Sequence, residues 1–149
     1  TNILNSENLI KSGAHFGHPV SKWNPQFKKF ILSIKNGVHI INMDMTIEYL
    51  DRALLELSKV VGDRAEYYLS SAADKLAAGE MASYLHALSE GYGLIFSLQY
   101  TQDADGNPYM SYDEVNAMLA ELEAGNGFWD RTEAELDTIA AKVKAATGL

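Results

Sequence analysis

The sequence predicts a mainly α-helical protein, a bundle of about five helices with a small β-hairpin near the N-terminus. Apolar residues recur every three or four positions through most of the chain beyond residue 46, which is typical of amphipathic helices. An Asn-Gly pair at 36–37 separates two short runs of branched and aromatic residues, which indicates a hairpin turn. Two helix starts carry the capping-box pattern, Ser111 with Glu114 and Thr132 with Glu135.

The predicted elements are separated by turn and capping residues. In the N-terminal part they are a short helix 7–12, an irregular segment 13–25, strands 27–34 and 38–41, and a helix from Thr46 to Val61 that Gly62 stops. Beyond it they are a helix 63–78 opened by Asp63 with Glu66, a central helix 80–100, a loop 101–110, and helices from Ser111 and Thr132. We predict a helix/hairpin/helix segment over 1–61 and an acidic helical bundle over 62–149, as separate domains or with a shared core.

Composition excludes several classes of function. The 149 residues include no cysteine, so disulfides, thiolate zinc sites and cysteine catalysis are excluded. Residues 1–60 hold seven Lys/Arg and five Asp/Glu, a balance of +2, whereas residues 61–149 hold five and fifteen, a balance of −10. The acidic part should repel nucleic acid, so any phosphate contact is expected from the N-terminal part. No signal peptide or membrane span is expected, because no basic start precedes an apolar core and the central apolar run is short.

The central helix predicted over 80–100 is apolar nearly all round, which indicates a buried helix. His86 and Glu90 are spaced to lie on one face, where they could chelate a metal or act as an acid–base pair, if a neighbouring helix supplied a third group. The alternative is a buried histidine paired with a carboxylate. Phe128 and Trp129, between Gly127 and Asp130, are predicted to form an anchor that closes the bundle rather than a ligand platform.

A basic and aromatic segment near the hairpin is the candidate binding site. Its members are Lys22, Trp23, Phe27, Lys28, Lys29, Phe30 and Lys35. Lysines could neutralise phosphates while the aromatic rings stack on bases. The alternative is a solvated edge whose rings pack on the following helix.

Two further patterns favour structural roles. His15 and His18 in the irregular loop, with His39 on a strand, could bind zinc, but hydrogen-bonded histidines that hold the loop against the hairpin explain them as well. Asp103, Asp105, Asn107 and Glu114 follow a calcium-loop spacing in which Pro108 replaces the required glycine. We therefore predict an ordinary turn there, and no metal, cofactor or catalytic constellation.

The segment 7–60 resembles the N-terminal part of bacterial small-subunit ribosomal protein S-two. The resemblance rests on GAHFGH (13–18), WNP (23–25), KNGVHIIN (35–42) and the helix from Thr46. It implies contact with ribosomal RNA or protein. The family continues into a buried strand of a parallel sheet, whereas this chain continues after Val61 into Gly62 and a helix, so that sheet is missing.

The segment from about residue 63 is similar to the C-terminal part of an uncharacterised, imelysin-related family of helical bacterial envelope proteins. The resemblance rests on YLHALSEGYG (84–93), GNGFWD (125–130) and the final helix. The Gly-x-His-x-x-Glu motif of imelysins is absent, since Tyr84 and Ser89 occupy its glycine and glutamate positions. Metal or peptidase activity is therefore not implied. Two such segments in one chain suggest a fused, recombined or designed sequence.

Three functions follow as hypotheses. The first is a non-enzymatic, cytoplasmic, ribosomal-protein-like module that contacts the small subunit through Lys22, Lys28, Lys29 and Lys35. The second is an envelope-type binding module that recognises a protein or small ligand through its acidic bundle, in the periplasm if a signal peptide was removed. The third is a metal hydrolase at His86 and Glu90.

Overall fold

The computed structural model describes residues 5–149, so residues 1–4 of the predicted segment 1–61 lie outside it. It confirms a mainly α-helical protein with a small N-terminal sheet. The chain divides into two compact units, the first ending at Ala53 and the second covering Leu54–Leu149. The elements are α1 Ser6–Lys11, β1 Phe16–Pro19, β2 Ile31–Lys35, β3 Val38–Ile41, α2 Met43–Ala77, α3 Met81–Ser97, α4 Tyr112–Glu123 and α5 Glu133–Thr147.

The first unit contains a three-stranded antiparallel sheet in the order β1-β3-β2. Asn36 and Gly37 form the two-residue turn between β2 and β3, with φ of 52° and 73°, which suits the twist of a hairpin. The segment 13–25, predicted to be irregular, contains β1. Because β1 contains Gly17 and Pro19, its sequence shows no alternation of apolar and polar residues. Its extended conformation is stabilised by pairing with β3 rather than by local strand propensity.

The predicted strand 27–34 begins later than expected. Residues Pro25–Phe30 form a 3₁₀ helix, and β2 starts only at Ile31. The side chain of Asn24 begins the 3₁₀ helix, because its Oδ1 accepts a hydrogen bond from the Gln26 amide at 3.0 Å. This helix carries Phe27 and Phe30, whose aromatic character mimics a strand pattern.

Helix α2 is one continuous helix of 35 residues, so the two predicted helices and their break at Gly62 are wrong. Asn42, not Thr46, caps it, since Asn42 Oδ1 accepts from the amides of Asp44 and Met45. Gly62 is buried, and a Cβ there would lie 2.7 Å from Thr147 Cγ2. The glycine therefore serves the close packing of the end of α5, rather than a stop.

We expect that Gly62→Ala does not stabilise the protein, although a glycine-to-alanine change within a helix ordinarily does. Alanine is favoured over glycine by about 1 kcal/mol within a helix, but the new methyl group collides with Thr147. Leu149 Cδ1 and Thr147 Cβ would also lie 3.1 Å and 3.2 Å from the new methyl group. In a double-mutant cycle measured by urea unfolding, Gly62→Ala should be neutral or destabilising alone, and more favourable by up to about 1 kcal/mol in a Thr147→Ala background. Equal stabilisation in both backgrounds would contradict the packing role.

The core of the second unit forms around α3. Tyr84, Leu88 and Ile95 of α3 are fully buried among residues of α2, α4 and α5. The helix is less uniformly buried than its sequence suggests, because His86, Glu90 and Phe96 are exposed. The Tyr84 hydroxyl donates a hydrogen bond to the Phe128 carbonyl at 2.5 Å, which fixes the segment between α4 and α5.

Of the two predicted anchor residues, Phe128 packs against the core, half-buried and with its ring 5.7 Å from that of Tyr92. The prediction is wrong for Trp129, because its side chain is 65% exposed. Both residues fit the same apolar pattern, so only the geometry of the 3₁₀ segment Gly127–Asp130 decides which one turns inward.

Arg131 ties the end of α4 to the start of α5. Its guanidinium donates hydrogen bonds to three backbone carbonyls, those of Glu121 (2.7 Å), Ala124 (2.7 Å) and Gly127 (3.2 Å). It also lies 3.5 Å from Glu135, and its side chain is only 8% exposed. The last carbonyls of a helix lack intrahelical partners, and this arginine bonds those of Glu121 in α4 and of its C-cap Ala124, as well as that of Gly127 in the 3₁₀ segment Gly127–Asp130.

Capping boxes begin α4 and α5. The carboxylate of Glu114 accepts from the Ser111 amide and hydroxyl, and that of Glu135 accepts from the Thr132 amide and hydroxyl. These hydrogen bonds hold the pKa of Glu114 and of Glu135 below their ordinary values. The loop before α4 is a turn organised by Asp103, whose Oδ1 accepts from the amides of residues 105 and 107.

The capping boxes predict a specific acid sensitivity. Because the folded pKa of Glu114 and Glu135 is lowered, their contribution is complete above the unfolded value of about 4.3 and is lost as pH falls through the folded pKa. The double variant Glu114→Gln/Glu135→Gln should therefore lose less stability than the wild type between about pH 5 and pH 3. Denaturant unfolding across this range measures it, with the exposed Glu90→Gln as control. Identical acid slopes in the double variant and the wild type would refute the prediction.

Candidate nucleic-acid interface

An aromatic groove lies within the first unit, between the sheet, the 3₁₀ helix Pro25–Phe30 and the first turns of α2. Its volume is about 640 Å³, which is within the range of small-molecule sites. Most of its lining is ring-bearing or aliphatic. The lining residues are Gly17, His18, Lys22, Trp23, Asn24, Phe27, Phe30, Ile31, His39, Ile41, Thr46 and Tyr49.

Two sets of rings line the groove. Trp23 stacks on His39 with centroids 4.7 Å apart. Phe30 lies 5.9 Å from Phe27 and 5.6 Å from Tyr49. Phe27 is 58% and Tyr49 42% exposed, so rings with high stacking capacity face solvent in the first unit.

The histidines of the first unit are held by the sheet. His39 is buried, and its Nδ1 donates to the His18 carbonyl at 3.1 Å, because a carbonyl can only accept. His15 stacks on Phe16 at 4.1 Å. Its Nδ1 is buried without a hydrogen-bond partner in the described part of the chain. Within residues 5–149 no group of three or more His, Asp or Glu is placed to hold a metal ion.

The predicted lysines divide between two places. Lys22 lines the aromatic groove, and Lys29 Nζ lies 4.7 Å from the Phe30 centroid and 5.8 Å from that of Tyr49. Lys28 is exposed on the 3₁₀ helix Pro25–Phe30, which also carries Lys29. Lys35 lies apart from them, at the end of β2, where it lines a second groove of about 530 Å³ with Phe16 and Leu32.

The segment that supplies most of the groove carries charge of one sign. Between Glu7 and Asp44 the sequence contains five lysines and no Asp or Glu. The sheet and the 3₁₀ helix thus carry only positive side-chain charge, which suits an anionic ligand, whereas the first turns of α2 carry Asp44 and Glu48 close in sequence to the groove residues Thr46 and Tyr49. The net charge of only +2 for residues 1–60 does not reveal this cluster of lysines, because all five carboxylates of that part lie outside residues 8–43.

Tyr49 is the groove residue that the sequence interpretation missed. It lies on α2 outside the apolar stripe of Ile47, Leu50 and Leu54, so packing along that stripe does not explain an aromatic residue there. That position off the stripe is the signal that could have identified it.

The candidate metal pair lies elsewhere. His86 and Glu90 are both exposed on α3 of the second unit, which excludes the alternative of a buried histidine–carboxylate pair. Neither has a third potential ligand among the described residues.

A family model described as "Domain of unknown function (DUF4856)" matches residues 41–149, almost three quarters of the chain. The chain belongs to the DUF4856 family. The DUF4856 match contains α2 to α5 and all of the second unit. None of the helices described in residues 5–149 is long and apolar enough to cross a membrane.

The DUF4856 match leaves out most of the sheet, and a second similarity accounts for the N-terminal segment. Small ribosomal subunit protein uS2 of Dehalococcoides mccartyi is 44% identical over 59 residues, 40% of this chain and 24% of that protein. The uS2 of Pasteurella multocida is 38% identical over 63 residues (42% and 26%), and that of Blochmanniella floridana 46% over 57 residues (38% and 25%). The chain therefore spans about a quarter of the length of these relatives, and joins a uS2-like segment to a separate DUF4856 domain.

Proposed function

We propose that this protein is a non-enzymatic, cytoplasmic binding protein that associates with the small ribosomal subunit through its first unit. The observation that carries the proposal is the uS2-like segment with five lysines and no carboxylate between residues 8 and 43. The relatives that share this segment are proteins of the small ribosomal subunit. A positively charged segment without acidic groups favours contact with the phosphate backbone of RNA.

RNA, rather than a ribosomal protein, is the partner that the charges favour. Lys22 lines the aromatic groove, Lys29 lies over the rings of Phe30 and Tyr49, and Lys28 is exposed on the 3₁₀ helix. Lysines beside aromatic rings can contact a phosphate backbone while the rings stack on bases. The second unit has six Lys/Arg and sixteen Asp/Glu, a balance of −10, so it adds no affinity for RNA.

The test is co-sedimentation with small ribosomal subunits that lack their own uS2. If three lysines each neutralise one phosphate of unpaired RNA, affinity should fall about 20-fold between about 50 and about 200 mM salt. The triple variant Lys22→Glu/Lys28→Glu/Lys29→Glu should weaken binding by about tenfold or more and flatten the salt dependence.

A charge-matched control separates local contact from net charge. The triple variant Lys59→Glu/Lys75→Glu/Lys144→Glu makes the same change in net charge on the second unit. It should co-sediment within about twofold of the wild type, since these lysines lie outside the proposed interface. Equal losses in both triple variants, or binding that salt leaves unchanged, would reject RNA contact through the first unit.

A further inference from the structure

We propose that the aromatic groove of the first unit binds an unpaired nucleobase of single-stranded RNA. This inference rests on the proposed function and assigns a specific ligand to the groove. Trp23 with His39, and Phe27, Phe30 and Tyr49, supply the rings, while Lys22 and Lys29 supply charge for the flanking phosphates.

The groove has the size and chemistry that an aromatic base requires. Its volume of about 640 Å³ is ample for one nucleotide. Bases have flat π-faces, and offset or edge-to-face contacts are the favoured geometry between aromatic partners. The groove rings already contact one another at tilted and edge-to-face angles. Stacking on exposed aromatic side chains is the common way in which proteins hold unpaired bases.

Hydrogen-bonding groups at the groove can meet the edge of a base. Asn24 uses its Oδ1 to cap the 3₁₀ helix, and its amide Nδ2 has no partner among the described residues. Thr46 donates its hydroxyl proton to the Asn42 carbonyl, which leaves its oxygen as an acceptor. One donor and one acceptor are thus available beside the rings.

Charge decides between a base and an apolar protein segment as the occupant. An apolar groove alone would accept either, but this one has Lys22 in its wall and Lys29 over two of its rings. No Asp or Glu occurs among its lining residues or anywhere between residues 8 and 43. An anionic strand with aromatic bases complements both features, whereas an apolar peptide complements only one. A duplex cannot use the rings, because its bases are stacked on each other.

Trp23 provides a direct readout in the full chain. The sequence contains two tryptophans, and Trp129→Phe leaves Trp23 as the single reporter. Addition of an oligoadenylate of about nine nucleotides should quench Trp23 fluorescence in a saturable manner. The same strand paired with oligouridylate should bind at least about tenfold more weakly, because its bases are withheld.

Substitutions test the individual rings by anisotropy of labelled oligoadenylate. Trp23→Ala and Phe27→Ala should each lower affinity by about 5- to 150-fold. Phe27 is 58% exposed, so this variant remains informative if loss of the Trp23–His39 contact disturbs the fold. Trp129→Ala is the matched control, since Trp129 is 65% exposed on the second unit, and it should leave affinity unchanged.

Defined outcomes would overturn the inference. If adenosine monophosphate binds as tightly as the oligoadenylate, the groove is a site for free nucleotides and not for a strand. Unchanged affinity for oligoadenylate in Phe27→Ala and Trp23→Ala would show that bases do not stack on these rings. If those variants also co-sediment with small subunits like the wild type, while the lysine triple variant does not, the proposed function stands and this inference alone fails. If oligoadenylate binding depends on the rings but the protein does not co-sediment with small subunits, the ribosomal role alone is rejected.

Discussion

Leu88→Ala should destabilise the second unit by about 2–5 kcal/mol. Leu88 is fully buried at the centre of α3, and truncation removes apolar burial and leaves a cavity that its neighbours fill only in part. A typical domain is stable by about 5–15 kcal/mol, so the expected loss is a large share of the total.

Urea unfolding followed by helical circular dichroism measures this loss, since most of the helix lies in the second unit. The matched control is Leu57→Ala, the same substitution on a side chain that is 62% exposed on α2. It should change stability by no more than about 0.5 kcal/mol. Comparable losses at the two positions would mean that Leu57 is covered in solution or that α3 is not central.

Arg131→Ala should cost about 2–4 kcal/mol. Three carbonyls lose a charged donor, and each such bond contributes about 1.5–3 kcal/mol before water replaces part of it. Arg131→Lys should recover less than half of the loss, because an ammonium group cannot reach the three carbonyls in the planar arrangement that a guanidinium allows.

Unfolding of the two Arg131 variants tests this role, with Arg64→Ala as the control. Arg64 lies on the surface of α2, 3.3 Å from Asp63 and half exposed, and exposed pairs contribute about 0–1 kcal/mol. Full rescue by lysine would show that charge alone matters. A loss at Arg131 no larger than at Arg64 would show that water satisfies the three carbonyls equally well.

The second unit could be predicted well from the sequence because its signals are local. The pairs Ser111 with Glu114 and Thr132 with Glu135 stand at the starts of α4 and α5, and the buried positions of both helices follow the apolar period. Such patterns depend on residues three or four apart, which the sequence displays directly.

The errors arose where distant residues decide. Gly62 has the character of a helix stop until Thr147 packs against it, and β1 becomes a strand only because β3 pairs with it. Arg131 shows no local signal, since its partners are carbonyls that any sequence would supply. Trp129 and Phe128 differ only in the direction that a short 3₁₀ segment gives them. Tertiary contacts override propensity at each position.

The candidate interface was predictable in composition but not in grouping. The lysines and Trp23 are evident in the sequence, but the separation of Lys35 from Lys22 and Lys29 follows from the hairpin, which places Lys35 beside the turn. Tyr49 joins the groove from α2, beyond the motif that drew attention to the segment.

The cap of α2 by Asn42 bears on how such a chain can exchange parts. Asn42 ends the uS2-like motif KNGVHIIN and is also the second residue of the DUF4856 match. A gene junction at this codon would pass on the helix with its own hydrogen-bonded start, whereas a junction between residues 53 and 54 would cut the helix and leave new amides unsatisfied. The hydrogen-bonded start of α2 thus lies twelve residues before the second compact unit begins, so a segment that keeps this start has to begin at or before Asn42.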